Sequence, residues 1–190
     1  TADGSITVDA GGTTTASVVT AGGGDADDDI SLATSAGDID AAAITATGND
    51  VTLNAAATIT DGNAAATNIS AANLDATAAT GIDLDTDTDS ITAAVSGTGV
   101  VDIDETDAVT LTSVTTADGS ITVDAGGTIT ASVVTAGGGD AHDDVSASTS
   151  AGEIDDAANT GAGTARTANA PAARTAGTAA AAPPPPATPP

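Results

Sequence analysis

An internal repeat constrains the fold of this chain more than any other feature of its sequence. Residues 1–43 recur as residues 116–158, and 7 of the 43 aligned positions differ. Inside the repeat, apolar-polar-apolar triplets follow turns rich in Asp, Asn and Gly, as in Ile-Thr-Val at 6–8 and Val-Thr-Leu at 51–53. Such alternation places the two flanking side chains on one face of a strand. The pattern predicts a repetitive all-β architecture with strands of three or four residues.

Composition taken separately favours a different state. Ile, Leu and Val make up 30 of 190 residues and the formal net charge is -25, a combination typical of a disordered polyanion. The repeat favours a parallel β-solenoid, in which each coil contributes a few small apolar residues to a shared core. An antiparallel sandwich is a weaker fit because its strands are usually about 5 to 6 residues long. Helices fit poorly because β-branched and turn-forming residues dominate.

The segment from Gly37 to Thr60 resembles the repeats of large secreted bacterial adhesins of the filamentous-haemagglutinin and autotransporter-passenger type. The resemblance extends over residues 1–156. It implies a right-handed parallel β-helix with coils of about twenty residues, located outside the cell or on its surface. Roughly seven or eight such coils would form a rod of about 35 Å.

The chain divides into two segments. Residues 1–158 are expected to form the solenoid, and residues 159–190 form a tail rich in Ala, Thr and Pro that is expected to be disordered or extended. The sequence begins without Met or a signal peptide, which predicts a mature product or an internal fragment. Open strand edges without caps predict end-to-end self-association; other surface proteins and glycans are further candidate partners.

Several functions are excluded by the residues that the chain lacks. Without Cys, Met or any aromatic residue there is no disulfide, thiol nucleophile, thiolate metal site or base-stacking surface. The negative charge argues against nucleic acid and anionic membranes, and no apolar run approaches the roughly 20 residues of a membrane-spanning helix. No catalytic pair or phosphate loop is marked. We therefore expect no enzymatic activity, and calcium is the one candidate cofactor.

Two acidic clusters are weak calcium candidates. The first imitates the opening of an EF-hand loop but has Ser90 where the loop needs Gly. The second approximates a calcium-binding β-roll nonapeptide but stands alone. Both could instead be turn-forming, solubilising residues, and His142, which replaces one of them in the second copy, is expected to be surface variation. The candidates are Asp83, Asp85, Asp87 and Asp89 in the first cluster, and Asp25, Asp27 and Asp28 in the second.

The favoured function is a non-catalytic extracellular structural or adhesive repeat protein that serves as a stalk, matrix or filament component. One alternative is a calcium-stabilised acidic surface-layer or matrix protein, because like charges about 5 Å apart on neighbouring coils repel one another. A second alternative is an ice-binding β-solenoid, since Thr-x-Thr pairs on a flat face can order water. These pairs, at irregular separations, are Thr45/Thr47, Thr58/Thr60, Thr86/Thr88, Thr110/Thr112 and Thr128/Thr130.

Overall fold

The computed structural model describes residues 4–23, 25–138 and 143–156, apart from the side chain of Asp156. Within these ranges the chain forms parallel strands and no helix, wound into a β-solenoid of about seven coils. This confirms the fold expected from the repeat. His142 and the tail at 159–190 lie outside the described residues, and the described part contains no helix long and apolar enough to cross a membrane.

The strands are β1 (Ile6–Ala10), β2 (Thr14–Ala16), β3 (Val19–Thr20), β4 (Ile30–Thr34), β5 (Ile39–Ala41), β6 (Ile44–Ala55), β7 (Thr58–Asp61), β8 (Ile69–Ala78), β9 (Gly81–Thr98), β10 (Val101–Glu105), β11 (Val109–Asp118), β12 (Ile121–Ala125), β13 (Ile129–Ala131), β14 (Val134–Ala136), β15 (Val145–Thr149) and β16 (Ile154–Asp156). Among the described residues the strands of the inner coils pair with strands of the coils before and after them, those of the end coils pair on one side, and every recorded pairing is parallel.

The core follows from strand alternation. In β10, Val101 and Ile103 are buried while Asp102 and Asp104 are exposed. Parallel registry then stacks like residues from coil to coil, so that the aliphatic interior is continuous along the rod. One such column, meaning a set of residues aligned by strand registry, consists of Ile39, Ile59, Ile82, Val101, Ile121 and Val145.

The coils differ in length. Ile6 pairs with Ile30, which is 24 residues later, whereas Leu74 pairs with the residue 17 positions later. Ile103 pairs with Val123, 20 residues later. The coil length is therefore largest near the first and last coils and smallest in the middle of the rod.

Several strands are longer than the three or four residues predicted, because extended backbone continues around the corners of the coil. β9 has 18 residues and pairs with β7 and β10 through its first part and with β8 and β11 through its second. The Asp-rich turn expected at 85–89 lies within this strand. Thr86 and Thr88 are buried there, and Asp87 and Asp89 are exposed.

One predicted turn has clear geometric support. The Asp118-Gly119 turn precedes β12, and Gly119 has a φ of 141°, a conformation that residues with a side chain rarely adopt. A Cβ atom at this position would also collide with the carbonyl oxygen of Gly99 on the preceding coil. Glycine is therefore required by both the backbone angle and the coil-to-coil contact.

The sequence repeat is not a whole number of coils. β1 and β12 have the same sequence, Ile-Thr-Val-Asp-Ala, yet they lie in different columns. Strands that are equivalent in sequence, 115 residues apart, are thus turned to another face of the solenoid. The column of Ile6 contains Ile30, Val51, Leu74, Ile91 and Leu111, whereas the column of Ile121 leads back through Val101, Ile82, Ile59 and Ile39 to Thr14.

Candidate functional site

A single glutamate lies in the interior of the described solenoid. Strand registry aligns Glu105 with Thr86 on one side and Ala125 on the other, and the same column holds Ile44 and Ile69 in earlier coils. The side chain of Glu105 is 4% exposed. Because alternate residues of β10 point inward, its fifth residue does so as its first and third do. A carboxylate therefore occupies a column that holds isoleucine in two earlier coils and alanine in the next coil.

The Glu105 carboxylate accepts hydrogen bonds from both neighbouring threonines. The Oγ1 atoms of Thr86 and Thr88 donate to its Oε2 atom over 2.8 and 3.0 Å. The backbone N–H of Thr88 donates to both carboxylate oxygens at 3.2 Å, and that of Asp107 donates to Oε1 at 3.4 Å. Buried carboxylates require such donors, because an unpaired one loses its hydration without compensation.

Burial raises the pKa of the Glu105 carboxyl above its ordinary value of 4.5. The hydrogen bonds from Thr86, Thr88 and the backbone of Asp107 lower the pKa but do not cancel the effect of burial. The ionised form is thus stabilised by specific donors and destabilised by loss of water.

Two exposed carboxylates lie beside Glu105. Asp87 and Asp107 each place an oxygen so that the three carboxylate oxygens lie within 4.8 Å of one another. These side chains come from two consecutive coils, and they are the kind of hard oxygen ligand that Ca²⁺ prefers. Since Ca²⁺ takes six to eight oxygens, water would have to complete its coordination, and the exposed aspartates would be the more accessible ligands. The Glu105 carboxylate already accepts hydrogen bonds from Thr86, Thr88 and the backbone of Asp107.

Carboxylates also form ladders on the outer surface. Asp83 pairs in register with Asp102, and Asp85 pairs with Asp104, which in turn pairs with Asp124. Adjacent strands are about 4.8 Å apart, so the repulsion expected between neighbouring coils is present here.

These ladders change the acidity of their members. Burial, and then the charges of Asp61, Asp104, Asp83 and Asp102, raise the pKa of Asp85. The pKa of Asp102 is raised by burial and then by Asp83, Asp104 and Asp124, and the pKa of Asp104 is raised by burial and then by Asp124 and Asp83. No basic side chain offsets this repulsion in the described part of the chain, since the two arginines lie beyond it.

The second acidic cluster organises a loop. Asp28 is fully buried, and its carboxylate accepts hydrogen bonds from the backbone N–H groups of Gly4 and Asp25. Asp29 accepts one from the backbone N–H of Asp50 on the next coil. Asp25 and Asp27 are exposed. The geometry of Asp28 agrees with the interpretation of this cluster as turn-forming residues.

A buried amide links two coils near the acidic surface. Asn68 is 1% exposed; its Nδ2 atom donates to the carbonyl of Ala41 at 3.0 Å and to Oδ1 of Asp61 at 2.8 Å. Its Oδ1 atom accepts from the backbone N–H of Asp85 at 2.6 Å. This residue therefore holds one end of the acidic ladder in place, a role that its sequence context did not indicate.

Of the predicted calcium ligands, the structure brings Asp87 into a group of three carboxylates. Among the described residues, Asp83, Asp85, Asp89, Asp25, Asp27 and Asp28 join no such group. The sequence interpretation missed Glu105 and Asp107 as members of this group. Strand parity could have identified Glu105, because Val101, Ile103 and Glu105 alternate with outward aspartates.

The threonine pairs do not share one surface. Thr110 and Thr130 are aligned in register, and the Oγ1 atom of Thr58 lies 2.8 Å from that of Thr80. The Thr86/Thr88 pair, one of the candidates for a water-ordering face, is buried against Glu105. An open surface cleft of about 410 Å³ is lined by Thr45, Thr47, Gly48, Ser70, Ala71, Ala72, Asp87 and Asp89.

No protein-family model matches this chain, and neither the curated proteins nor the solved structures contain a match to it. Its function is therefore inferred from its geometry and charge.

Proposed function

We propose that this chain is a non-catalytic structural or adhesive repeat protein of the cell exterior, which acts as a stalk, matrix or filament component. The observation that carries the proposal is the unbroken parallel registry through successive coils, from Ile39 to Val145 in one column. Hydrogen bonds between coils run parallel to the solenoid axis, so load applied along that axis is shared by many bonds at each step. Such a rod can serve as a spacer or support.

The charge distribution supports the same role. Most acidic side chains of the described coils lie on the outside of the rod, and aliphatic side chains fill most of its inside. The carboxylates whose pKa is raised on the outer surface form ladders between coils, in positions explained by strand registry rather than by a reaction centre. A large negative charge keeps such a rod soluble and apart from anionic surfaces.

The mechanical part of the proposal is tested by pulling the folded chain from its two ends. A coil of about 20 residues should release roughly 70 Å of chain when it unwinds. We expect a series of force peaks at this spacing, because coils contact their neighbours alone. Extension without resolvable resistance would contradict a load-bearing role. Detection of the protein on intact source cells or in their medium tests its location, and an exclusively cytosolic pool would contradict it.

The second candidate is a calcium-stabilised acidic surface-layer or matrix protein. Two observations favour it over the remaining alternative: the proximity of Asp87, Glu105 and Asp107, and the ladders from Asp83 to Asp102 and from Asp85 to Asp124. Titration with CaCl₂ and with NaCl of equal ionic strength distinguishes a specific calcium effect from general screening. Ice binding remains a prediction, and a thermal-hysteresis measurement tests it.

A further inference from the structure

The first coil presents an uncovered strand edge among the described residues. β1 pairs with β4, and the backbone N–H of Ile6 donates to the carbonyl of Asp29 over 2.8 Å. A parallel strand bonds to its two neighbours through alternate residues. Thr7 and Asp9 therefore direct their backbone groups to the opposite edge. Among the described residues no strand pairs with the outer edges of β1 and β2, which we call the N-terminal face, or with the outer edges of β15 and β16, which we call the C-terminal face.

The internal repeat shows how the same strand looks when it is covered. Val8 of β1 is 36% exposed, whereas its repeat equivalent Val123 in β12 is 1% exposed because Ile103 of the preceding coil lies against it. Ile6 is half-buried, and its equivalent Ile121 is fully buried. A sequence identical to β1 is therefore compatible with a strand on both sides.

We propose that the occupant of the N-terminal face is the C-terminal face of a second copy of this chain, so that chains stack head to tail. This inference rests on the proposed function, because stacking turns a short rod into a filament. The contact joins two different faces and leaves one of each free, so it can continue along the axis.

Strand sequence fixes the register of this stack. β15 already pairs on one side with β12, whose sequence is Ile-Thr-Val-Asp-Ala. β1 has the same five residues, so the stack would place an identical strand on the other side of β15. By the same alignment β2 would lie on β16, because β16 is the repeat equivalent of β5, which pairs with β2 within one chain. In this register Ile6 of one copy is opposite Val145 of the other.

Charge permits this contact. In the proposed register Asp9 of one copy is opposite Ser148 of the other, and Asp155 is opposite Thr15. No position along β15 on β1 or β16 on β2 opposes two acidic residues. The middle of the rod, by contrast, stacks aspartate on aspartate. The outer acidic ladder is interrupted at Ser148, whose hydroxyl donates to Asp124.

One exposed apolar side chain is covered in this arrangement. Among the described residues the large apolar side chains that remain exposed are Val8, Val18, Val100 and Val133. Val8 would lie opposite the smaller Ala147 and would lose water at the contact.

The end coils match in length. Ile6 and Ile30 are 24 residues apart, and so are Ile121 and Val145 at the other end of the rod. The two faces therefore have similar circumferences, although coils in the middle are shorter. Because β1 and β15 lie in different columns, the second copy must be rotated about the solenoid axis until its β1 lies over β15 of the first copy.

A disulfide tests the register directly in the full-length chain, which has no Cys of its own. Thr7→Cys and Ser146→Cys place thiols at opposed outward positions of β1 and β15. Within one chain these positions are roughly 30 Å apart, far beyond the separation of about 7 Å that a disulfide permits. Oxidation of the double variant should give a ladder of covalent oligomers on a non-reducing gel.

The matched control combines Thr7→Cys with Thr110→Cys, whose second thiol lies on the exposed side of β11 in the middle of the rod. We expect no ladder from this control. Single Thr7→Cys chains that form dimers as efficiently as the double variant forms ladders would indicate head-to-head contact and overturn the proposal. Absence of a ladder from the double variant would overturn the register.

A second pair of variants tests the contact without cysteine. Val8→Asp adds a charge at the centre of the N-terminal face, and Val100→Asp makes the same change at an exposed valine on the side of the rod. In high salt, which screens the net charge of the chains, sedimentation should show concentration-dependent oligomers for the parent and Val100→Asp. Val8→Asp should need at least about tenfold more protein to form the same oligomers, because its association is at least about tenfold weaker.

Failure of stacking and failure of the proposed function give different results. Folded β-rich monomers of the parent chain at every concentration would overturn the stack and leave the rod intact. Hydrogen exchange identifies the occupant in that case. If the amide hydrogens of β1 exchange equally slowly at low and high protein concentration in such monomers, residues of the same chain cover the N-terminal face. A chain without β-structure by circular dichroism would contradict both the rod and the stack.

Discussion

Coils near the start of the solenoid and coils in its second half share one backbone ladder but enclose different side chains. One column holds Ile44 and Ile69 in the earlier coils, and Thr86, Glu105 and Ala125 in the later ones. Parallel backbone bonding thus tolerates a change from aliphatic packing to a buried hydrogen-bonded carboxylate. The difference implies that this column depends on aliphatic packing in the earlier coils and on hydrogen bonds to Glu105 in the later ones.

The largest effect is expected from removing an aliphatic side chain of the earlier coils. Ile69→Ala should lower the free energy of unfolding by about 3 to 4 kcal/mol, because the narrow interior cannot collapse around the lost methyl groups. Denaturant unfolding followed by circular dichroism measures the change. Thr77→Ala, at an exposed position of the same strand, is the control and should change stability by less than about 0.5 kcal/mol.

Glu105→Ala should cost somewhat less, about 2 to 3 kcal/mol, because the buried donors of Thr86 and Thr88 lose their acceptor. Glu105→Gln should remain close to the parent at neutral pH. Its Oε1 can accept the backbone N–H groups of Thr88 and Asp107 while its amide donates to the two threonine hydroxyls. Equal destabilisation by the Ala and Gln variants would show that the negative charge itself is required, contrary to this account.

Acidification should stabilise the rod. Burial, followed by neighbouring aspartates, raises the folded-state pKa of Asp85, Asp102 and Asp104, and burial raises that of Glu105. The folded state therefore binds more protons than the unfolded chain between those raised values and the ordinary carboxyl range. Stability should rise as the pH falls from neutral into this window and should level off below about 4.

Thermal melts at about pH 7.5 and about pH 5, at constant ionic strength, measure this linkage and should differ by a few degrees in Tm. The double variant Asp102→Asn with Asp104→Asn should reduce the difference. A Tm that decreases steadily over the same interval would show that other carboxylates, paired favourably in the fold, outweigh the ladders.

The smallest expected effect concerns cations. About 5 mM CaCl₂ should raise the Tm of the parent chain more than NaCl of equal ionic strength does, if Asp87 and Asp107 hold the ion. Asp87→Asn should remove the excess, and Asp75→Asn, on the exposed side of β8, should leave it unchanged. Identical shifts with the two salts would assign the effect to screening of the ladders.

The fold was predictable because its local pattern repeats. Alternating triplets such as Val101-Asp102-Ile103 indicate which side chains lie in the core, and turns such as Asp118-Gly119 indicate where the coil bends. Strand length was not predictable in the same way. The segment at 85–89 contains turn-forming residues, but partners on both sides keep it extended, and tertiary pairing overrides local preference there.

The site was predictable in part. Asp87 was identified from its acidic neighbours, but Asp107 joins it through coil stacking, which relates residues far apart in sequence. Glu105 was accessible to strand parity, although an acidic residue inside a solenoid contradicts the usual distribution of charge. It becomes acceptable because Thr86 and Thr88 supply donors from the adjacent coil.

The sequence by itself determined that this chain builds a stacked β-architecture with an aliphatic inside and an acidic outside, since alternation and repetition are local properties. The tertiary structure decided the length of each coil, which carboxylates oppose one another, and that the 115-residue period is not a whole number of coils. These properties depend on how much chain each coil uses before it returns to its column. That length is set by the pairing of whole strands rather than by the preference of single residues.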